Sequence, residues 1–259
     1  MVHFADLSGQ LAGVQGGQVP SRSRYTEIAE VLAAEIADQP ADVRVASEHE
    51  IAARFGVSRA AARSALQELE GRHLVRRVRG AGTFVSRPLD YVLSQSRVPS
   101  MHQTIREAGG EPRTVVRDVT TVPVTGAIAE RLERAEGSAV HLLTRQSYID
   151  GLLSGWSQEW IPVDMLPELD AAVHAVESLD TILRQMCGVT PVRAWCRVSG
   201  VLPDRRVAEG LEAAHNRPVW LVESLSRDAA SGRAVMCSST WSRPDSVRII
   251  VELDGPVIP

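Results

Sequence analysis

Arg59 and Arg63 lie four residues apart, directly after Ser58, in the stretch FGVSRAAARSALQELE. On a helix that spacing puts both guanidinium groups near one face, close to the N-terminal end. An arginine fork so placed can bond guanine O6 and N7 together, or clasp a phosphate. A second group is Arg145, Ser147, Ser157 and Glu159, which flank Asp150-Gly151 in RQSYIDGLLSGWSQEW. With a hairpin loop from Gly151 to Leu153, Arg145 faces Glu159 and Ser147 faces Ser157, all on one side of a sheet. A cation, a carboxylate and two hydroxyls on one face suit an anionic or polyhydroxylated small molecule. The plain alternative is a wet cross-strand ion pair, which contributes little.

The first group needs a helix to carry it. Tyr25, Ile28, Ala29, Leu32 and Ile36 form one amphipathic stripe, which DQPADVRV interrupts at Pro40. Ser47 with Glu50 three residues on is a capping box that starts a second helix, with Ile51, Ala52 and Phe55 on its buried side. Gly56 ends that helix and Ser58 caps a third, which buries Ala62, Ala65, Leu66 and Leu69. Two short helices joined by a tight glycine turn, with arginines on the first turns of the second, read as a helix-turn-helix. Then HLVRRVRGAGTFV alternates around Gly80-Ala81-Gly82, giving two strands with a glycine tip. Such a wing can bring its backbone close to a sugar-phosphate edge while Arg76, Arg77 and Arg79 supply charge.

The charge distribution agrees. The 259 residues carry a net charge of −4, and all 28 basic residues are arginine. Between Arg54 and Arg87, eight arginines stand against Glu68 and Glu70, so a basic segment is attached to an acidic body. No apolar run is long enough to span a membrane, and the N-terminus has no basic start followed by an apolar block. Cys187, Cys196 and Cys237 are odd in number without CxxC spacing, which suits free thiols in a cytoplasmic protein rather than disulfides or a zinc site.

These residues resemble the DNA-binding domain of the GntR family of bacterial transcription regulators. The match is YTEIAEVLAAEI followed by SEHEIAARFGVSRAAARSALQELEGRHLVRRVRGAGTFV. The resemblance implies DNA contacts from Ser58, Arg59 and Arg63, from His49 just after the capping pair, and from the wing residues Gly80, Gly82 and Thr83, beside which Arg79 supplies charge. Two departures bear on operator preference. Ala46 stands where a proline is usual, after a shortened loop, and Ala60, Ala61 and Ala62 replace a threonine-containing run. Alanine can meet a thymine methyl but cannot bond a base edge.

Beyond residue 98 helical and strand-like stretches alternate and hairpins dominate, which predicts an α+β domain with a mainly antiparallel sheet and helices on one side. AGGEP, LLTRQSYIDG, EWIPVDMLPEL and SLDTILRQ resemble the effector-binding domain of the HutC subfamily of GntR regulators. That resemblance implies a chorismate-lyase-like fold, with Arg145, Glu159 and Trp241 on effector-contacting positions and Ser100 on a contacting hydroxyl. Ser147 stands where the subfamily has a second arginine. LDYVL beyond the wing, with AGGEP, resembles regulators of phosphonate use. The expected layout is a mobile tail over 1–20, a winged helix over 21–87, a linker over 88–98 and an effector-binding and dimerisation domain over 99–254. A homodimer on palindromic operator DNA follows from the resemblance. The competing reading is a lyase-like enzyme carrying a DNA-binding module. No P-loop, GxSxG, HExxH or paired-carboxylate motif supports it, and no metal or cofactor is expected.

Overall fold

The computed structural model describes residues 23–78, 80–94 and 100–252. The expected tail and Arg79 lie outside those residues.

The N-terminal unit is built as its pattern dictates. Helix α1 (Arg24–Glu35) buries Ile28, Ala29 and Leu32, while Tyr25 stays exposed at its start. Helix α2 (Glu48–Phe55) opens on a complete capping box: the Glu50 N–H donates to the Ser47 hydroxyl and the Ser47 N–H to the Glu50 carboxylate at 2.7 Å. Gly56 closes it at φ +63°, a conformation open to glycine at little cost. Helix α3 (Arg59–Gly71) buries Ala62, Ala65, Leu66 and Leu69 against α1 and α2. Strands β1 (Val75–Val78) and β2 (Gly82–Val85) pair antiparallel as the wing. Ser47→Ala removes one half of the capping box and is expected to cost about 1 kcal/mol in chemical denaturation.

The chain then leaves the wing through β3 (Leu89–Leu93), which is a strand inside the expected linker 88–98. Its partner is the C-terminal strand β10 (Val247–Val251), paired in parallel from Leu89↔Val247 to Leu93↔Val251. A partner so distant along the chain leaves no local signature, which is why the segment read as a linker. After it come α4 (Met101–Glu107), β4 (Pro112–Pro123) and α5 (Gly126–Leu132). The long hairpin β5 (Ala139–Ile149) and β6 (Leu152–Pro162) is followed by α6 (Leu169–Ala175) and α7 (Leu179–Cys187). Then β7 (Pro191–Val201), α8 (Arg205–Leu211), β8 (Val219–Asp228) and β9 (Ala234–Ser242) complete a six-stranded sheet of order β4-β5-β6-β9-β8-β7, antiparallel throughout.

Helices cover both faces of this sheet, not one. Leu169, Ile182 and Leu183 of α6 and α7 pack on Leu143 and Ile161 of one face. On the other, Ala129 and Leu132 of α5 meet Val140 and Cys237, and Val207 and Leu211 of α8 meet Trp156. A Cβ at Gly210 would stand 2.4 Å from the Trp156 ring, so α8 lies on that indole only because glycine is there. Both faces of the central strands are therefore buried, and simple alternation of polar and apolar residues cannot show on which side the helices fall.

The two units touch through defined bonds. The Ser86 hydroxyl, just past the wing, donates to the Asp245 carbonyl at 2.5 Å, and Arg217 pairs with Glu70 near the end of α3 at 2.9 Å. Arg243 and Asp245 form a two-pronged ion pair at that junction, at 3.0 and 2.7 Å. Burial raises the Asp245 carboxyl, but the Arg243 hydrogen bond and charge outweigh it, so its pKa lies below the ordinary aspartate value.

Candidate functional sites: a basic groove and a hydroxyl-lined trough

Between the start of α3 and the wing runs a groove lined by Arg44, His49, Arg59, Arg77, Gly80 and Gly82. Ser58 caps α3 by accepting the Ala61 N–H at 3.2 Å, which leaves its own proton free to donate outward. Arg59 is exposed on the first turn, and among the described residues its hydrogen bond is to the His49 ring, at 3.3 Å from Nδ1. Arg63 is held differently. Its Nε and Nη2 both bond the Glu48 carboxylate at 3.0 Å, and Arg77 stands 3.7 Å from the same group. The Arg63 hydrogen bond holds the Glu48 carboxyl below its ordinary range, so Glu48 stays ionised into mild acid and keeps its grip on Arg63 across neutral pH.

The wing residues separate likewise. Gly80 and Gly82 have φ of +77° and +124° and are exposed, as a close backbone approach requires. Thr83 is buried, and its carbonyl accepts the Val45 N–H at 2.8 Å, so it anchors the base of the wing where it lines the groove. Of the three alanines in α3, Ala60 is exposed, Ala61 half-buried and Ala62 fully buried in the helical core. Arg44 was not anticipated. It comes from the loop before α2, and its guanidinium lies 3.4 Å from the place a Cβ would take on Gly82.

The second site lies on the sheet. The Asp150-Gly151 turn has two residues, with φ of +51° and +77°, the two positive values of a type I′ hairpin. The loop is thus shorter than expected, and Arg145 faces Ser157, Ser147 faces Gly155 and Glu159 faces Leu143. The four polar residues nonetheless share a face, because a bulge at Ser154 adds one residue to β6. Without it, Arg145 would oppose Trp156 and Glu159 would turn to the other side. The buried Ser154 hydroxyl donates to the Ser147 carbonyl at 3.0 Å and holds the bulge.

Arg145 Nη2 bonds Glu159 Oε1 diagonally across the strands at 2.6 Å, with the two side chains 13% and 5% exposed. This is a buried pair, unlike the wet surface pair that periodicity alone allows. Ser147, Ser157 and Ser100 line the same trough. Trp241 does not. Neighbours along a strand alternate, so Ser238, Thr240 and Ser242 face the trough while Trp241 packs with Trp156, Val207 and Leu211 on the opposite face. The trough continues past Thr240 to Ser224 and Ser226 of β8 and ends at Arg193 of β7. The hydroxyls at alternate positions in ESLSR and CSSTWS were the sequence signal for this floor, legible only once β8 and β9 are known to adjoin β6. At one wall His102 Nε2 lies 2.7 Å from Thr114 Oγ1; burial lowers its pKa, with Glu177 opposing, so the ring is biased to the neutral form. Among the described residues no three His, Cys, Asp or Glu side chains converge as a metal site, and no helix is long and apolar enough to cross a membrane.

The UTRA domain pattern matches residues 107–248, more than half of the chain, and the pattern of the bacterial regulatory proteins of the gntR family matches residues 24–85. The chain belongs to the GntR family of regulators, with a UTRA domain. The HTH-type transcriptional regulator GgaR of Escherichia coli (strain K12) is 28% identical over 205 residues, covering 79% of this chain and 80% of the relative. The HTH-type transcriptional repressor NagR of Bacillus subtilis (strain 168) is 30% identical over 163 residues, covering 62% and 66%. Among solved structures, PhnF from Mycobacterium smegmatis superposes with a TM-score of 0.61 at 23% identity, over 87% of this chain and 98% of that one. This GntR-family chain is therefore a DNA-binding transcription regulator with an effector-binding domain, and not a lyase-like enzyme with a DNA-binding module.

Proposed function

We propose that this GntR-family chain is a cytoplasmic repressor that reads operator DNA through the α3–wing groove and releases it when a small polar or anionic effector enters the trough. The observation that carries this reading is the groove itself, where Arg59 from α3, Arg44 from the preceding loop and Arg77 from the wing converge beside two glycine backbones. In this arrangement α3 enters the major groove and the wing tracks the neighbouring backbone. Two copies read a palindrome with half-sites about one helical turn apart, or a small multiple of it. Arg59 is the base reader, Arg44, Arg77 and the wing glycines meet phosphates, and Ser58 donates to one. Arg63 is a second reader, oriented by Glu48.

The trough encloses about 80 Å³, room for several waters. That is below the ~300–1,000 Å³ of ordinary ligand sites, so an effector parts the helices from the sheet as it binds. A coupling of ~1–3 kcal/mol between the two sites is enough to move operator occupancy. The junction bonds of Ser86, Glu70, Arg217 and Asp245 stand where that motion would be felt.

The test is fluorescence anisotropy with promoter DNA flanking the chain's own gene, at two salt concentrations and with random DNA as competitor. Salt-sensitive binding that survives the competitor is expected; binding no tighter than to random DNA would sink the operator assignment. Glu48→Gln sharpens the result. It frees Arg63 and removes a negative charge from the groove, so random-DNA affinity is expected to rise several-fold while preference for the operator falls. Unchanged preference would mean that Glu48 does not orient Arg63.

A further inference from the structure

Arg145 is the residue a carboxylate or phosphate would be expected to seek, yet the fold has already given it a carboxylate. Glu159 neutralises it through two nitrogen contacts, and its remaining bond goes to the Glu177 carbonyl at 3.3 Å. The other carboxylate lining the trough, Asp180, is likewise paired, to Arg184 at 2.9 Å. Arg193 is different. At the β7 end, among the described residues, it has no acidic partner. Its Nη2 donates to the Tyr91 hydroxyl at 3.2 Å, and its Nε–H is buried with no acceptor among the described residues.

Two other buried polar atoms without partners line the same trough: Asp180 Oδ1 and the hydroxyl of Ser226, which is 1% exposed. Arg193 and Ser226 face each other across β7 and β8. Buried polar groups in folded proteins are almost always satisfied, so several orphans on one cavity mark an unfilled set of ligand bonds. The donor is a lone guanidinium, and the acceptor is a carboxylate oxygen that needs a hydroxyl or ammonium proton.

The geometry points to an anion-binding subsite at Arg193 and Ser226, which takes the carboxylate or phosphate of a hydroxylated small molecule, while Asp180 Oδ1 accepts from one of that molecule's hydroxyls. This rests on the trough being the effector site, and it reverses the direction in which the effector lies. The anionic end sits at β7. The hydroxylated remainder runs over Ser224, Ser238 and Thr240 toward the Arg145–Glu159 pair, which offers bonds to neutral polar groups. The backbones carrying the two arginines are four strand spacings apart, about 19 Å, so a small effector uses one end as its anchor. Tyr91 gives the subsite an outlet. It belongs to β3, the strand that follows the wing, so an anion competing for Arg193 acts on the strand joining the DNA-binding unit to the sheet.

Calorimetry on the full chain with glycerol 3-phosphate, inorganic phosphate and glycerol tests this, with operator anisotropy measured in parallel. Glycerol 3-phosphate is expected to bind more tightly than phosphate, and glycerol not to bind. Arg193→Gln should weaken the anions at least tenfold, Arg193→Lys should recover part of that, and Arg59→Ala, which alters only the DNA groove, should leave one anion site in place. Tyr91→Phe should keep anion binding while reducing its effect on operator affinity. Circular dichroism melting checks that each variant is folded. Anion binding unchanged in Arg193→Gln, lost only in Arg59→Ala, or absent from the wild type overturns the subsite. Binding lost in Arg193→Gln with operator affinity indifferent to every anion leaves the subsite standing and removes the regulatory reading of the trough.

Discussion

Glu159→Ala is expected to destabilise the sheet domain by about 3 kcal/mol. The carboxylate is buried against Arg145 at 2.6 Å, and deleting it strands a guanidinium whose other partner is one carbonyl at 3.3 Å. Breaking such a pair costs more than forming it gains, because the remaining charge keeps its desolvation penalty and loses its partner. All five tryptophans lie between Trp156 and Trp241, so tryptophan fluorescence in a urea titration follows this domain alone. The midpoint should fall with little change in slope. Glu159→Gln, which keeps an acceptor oxygen, should recover part of the loss. A shift below about 1 kcal/mol would show that water in the trough solvates the arginine and that the pair behaves as a surface pair.

Arg59→Ala is expected to weaken operator binding by about 1–3 kcal/mol, roughly fivefold to 150-fold, with little change on random DNA. Arg59 is exposed on the first turn of α3 and, among the described residues, bonded only to the His49 ring, so it has no ion pair there to break before it reaches a base. Arg63 keeps two of its nitrogens on Glu48 at 3.0 Å and so has fewer donors to offer a base. Arg63→Ala should therefore cost less than Arg59→Ala. Competition anisotropy against operators altered at single base pairs checks both. Equal loss on operator and random DNA would assign Arg59 to a phosphate, and the slope of log affinity against log salt would then fall by about one.

The DNA-binding half was legible because its determinants are local. Ser47 with Glu50, Gly56, Ser58 and the stripe from Ala62 to Leu69 are read within one helical turn or two, and each stands where that pattern puts it. Arg44 escaped because its place in the groove depends on the loop before α2 folding against Gly82, which no periodicity encodes. The pairing of Arg63 with Glu48 escaped for a like reason: the two lie on different helices, brought together by the packing of α2 on α3.

In the larger half, the hairpins, their strands and the residue types of the trough were set by local alternation and the Asp150-Gly151 turn. The shared face of Arg145, Ser157 and Glu159 was expected from a three-residue loop but is reached by another route. It depends on one inserted residue at Ser154, whose bulge reverses the alternation for the rest of β6. Local pattern could not place Trp241, because the neighbours of β9 are β6 and β8 and both faces of that strand are covered. The β3–β10 pair and Arg193 at the trough's far end rest on contacts between distant parts of the chain. Helices, caps and turns follow from bonds between near neighbours, so the sequence by itself determined them and the family they belong to. Which side chains meet in one cavity, and which of them are left without partners, is decided by strand order and register, and these are settled only when the whole sheet closes on its helices.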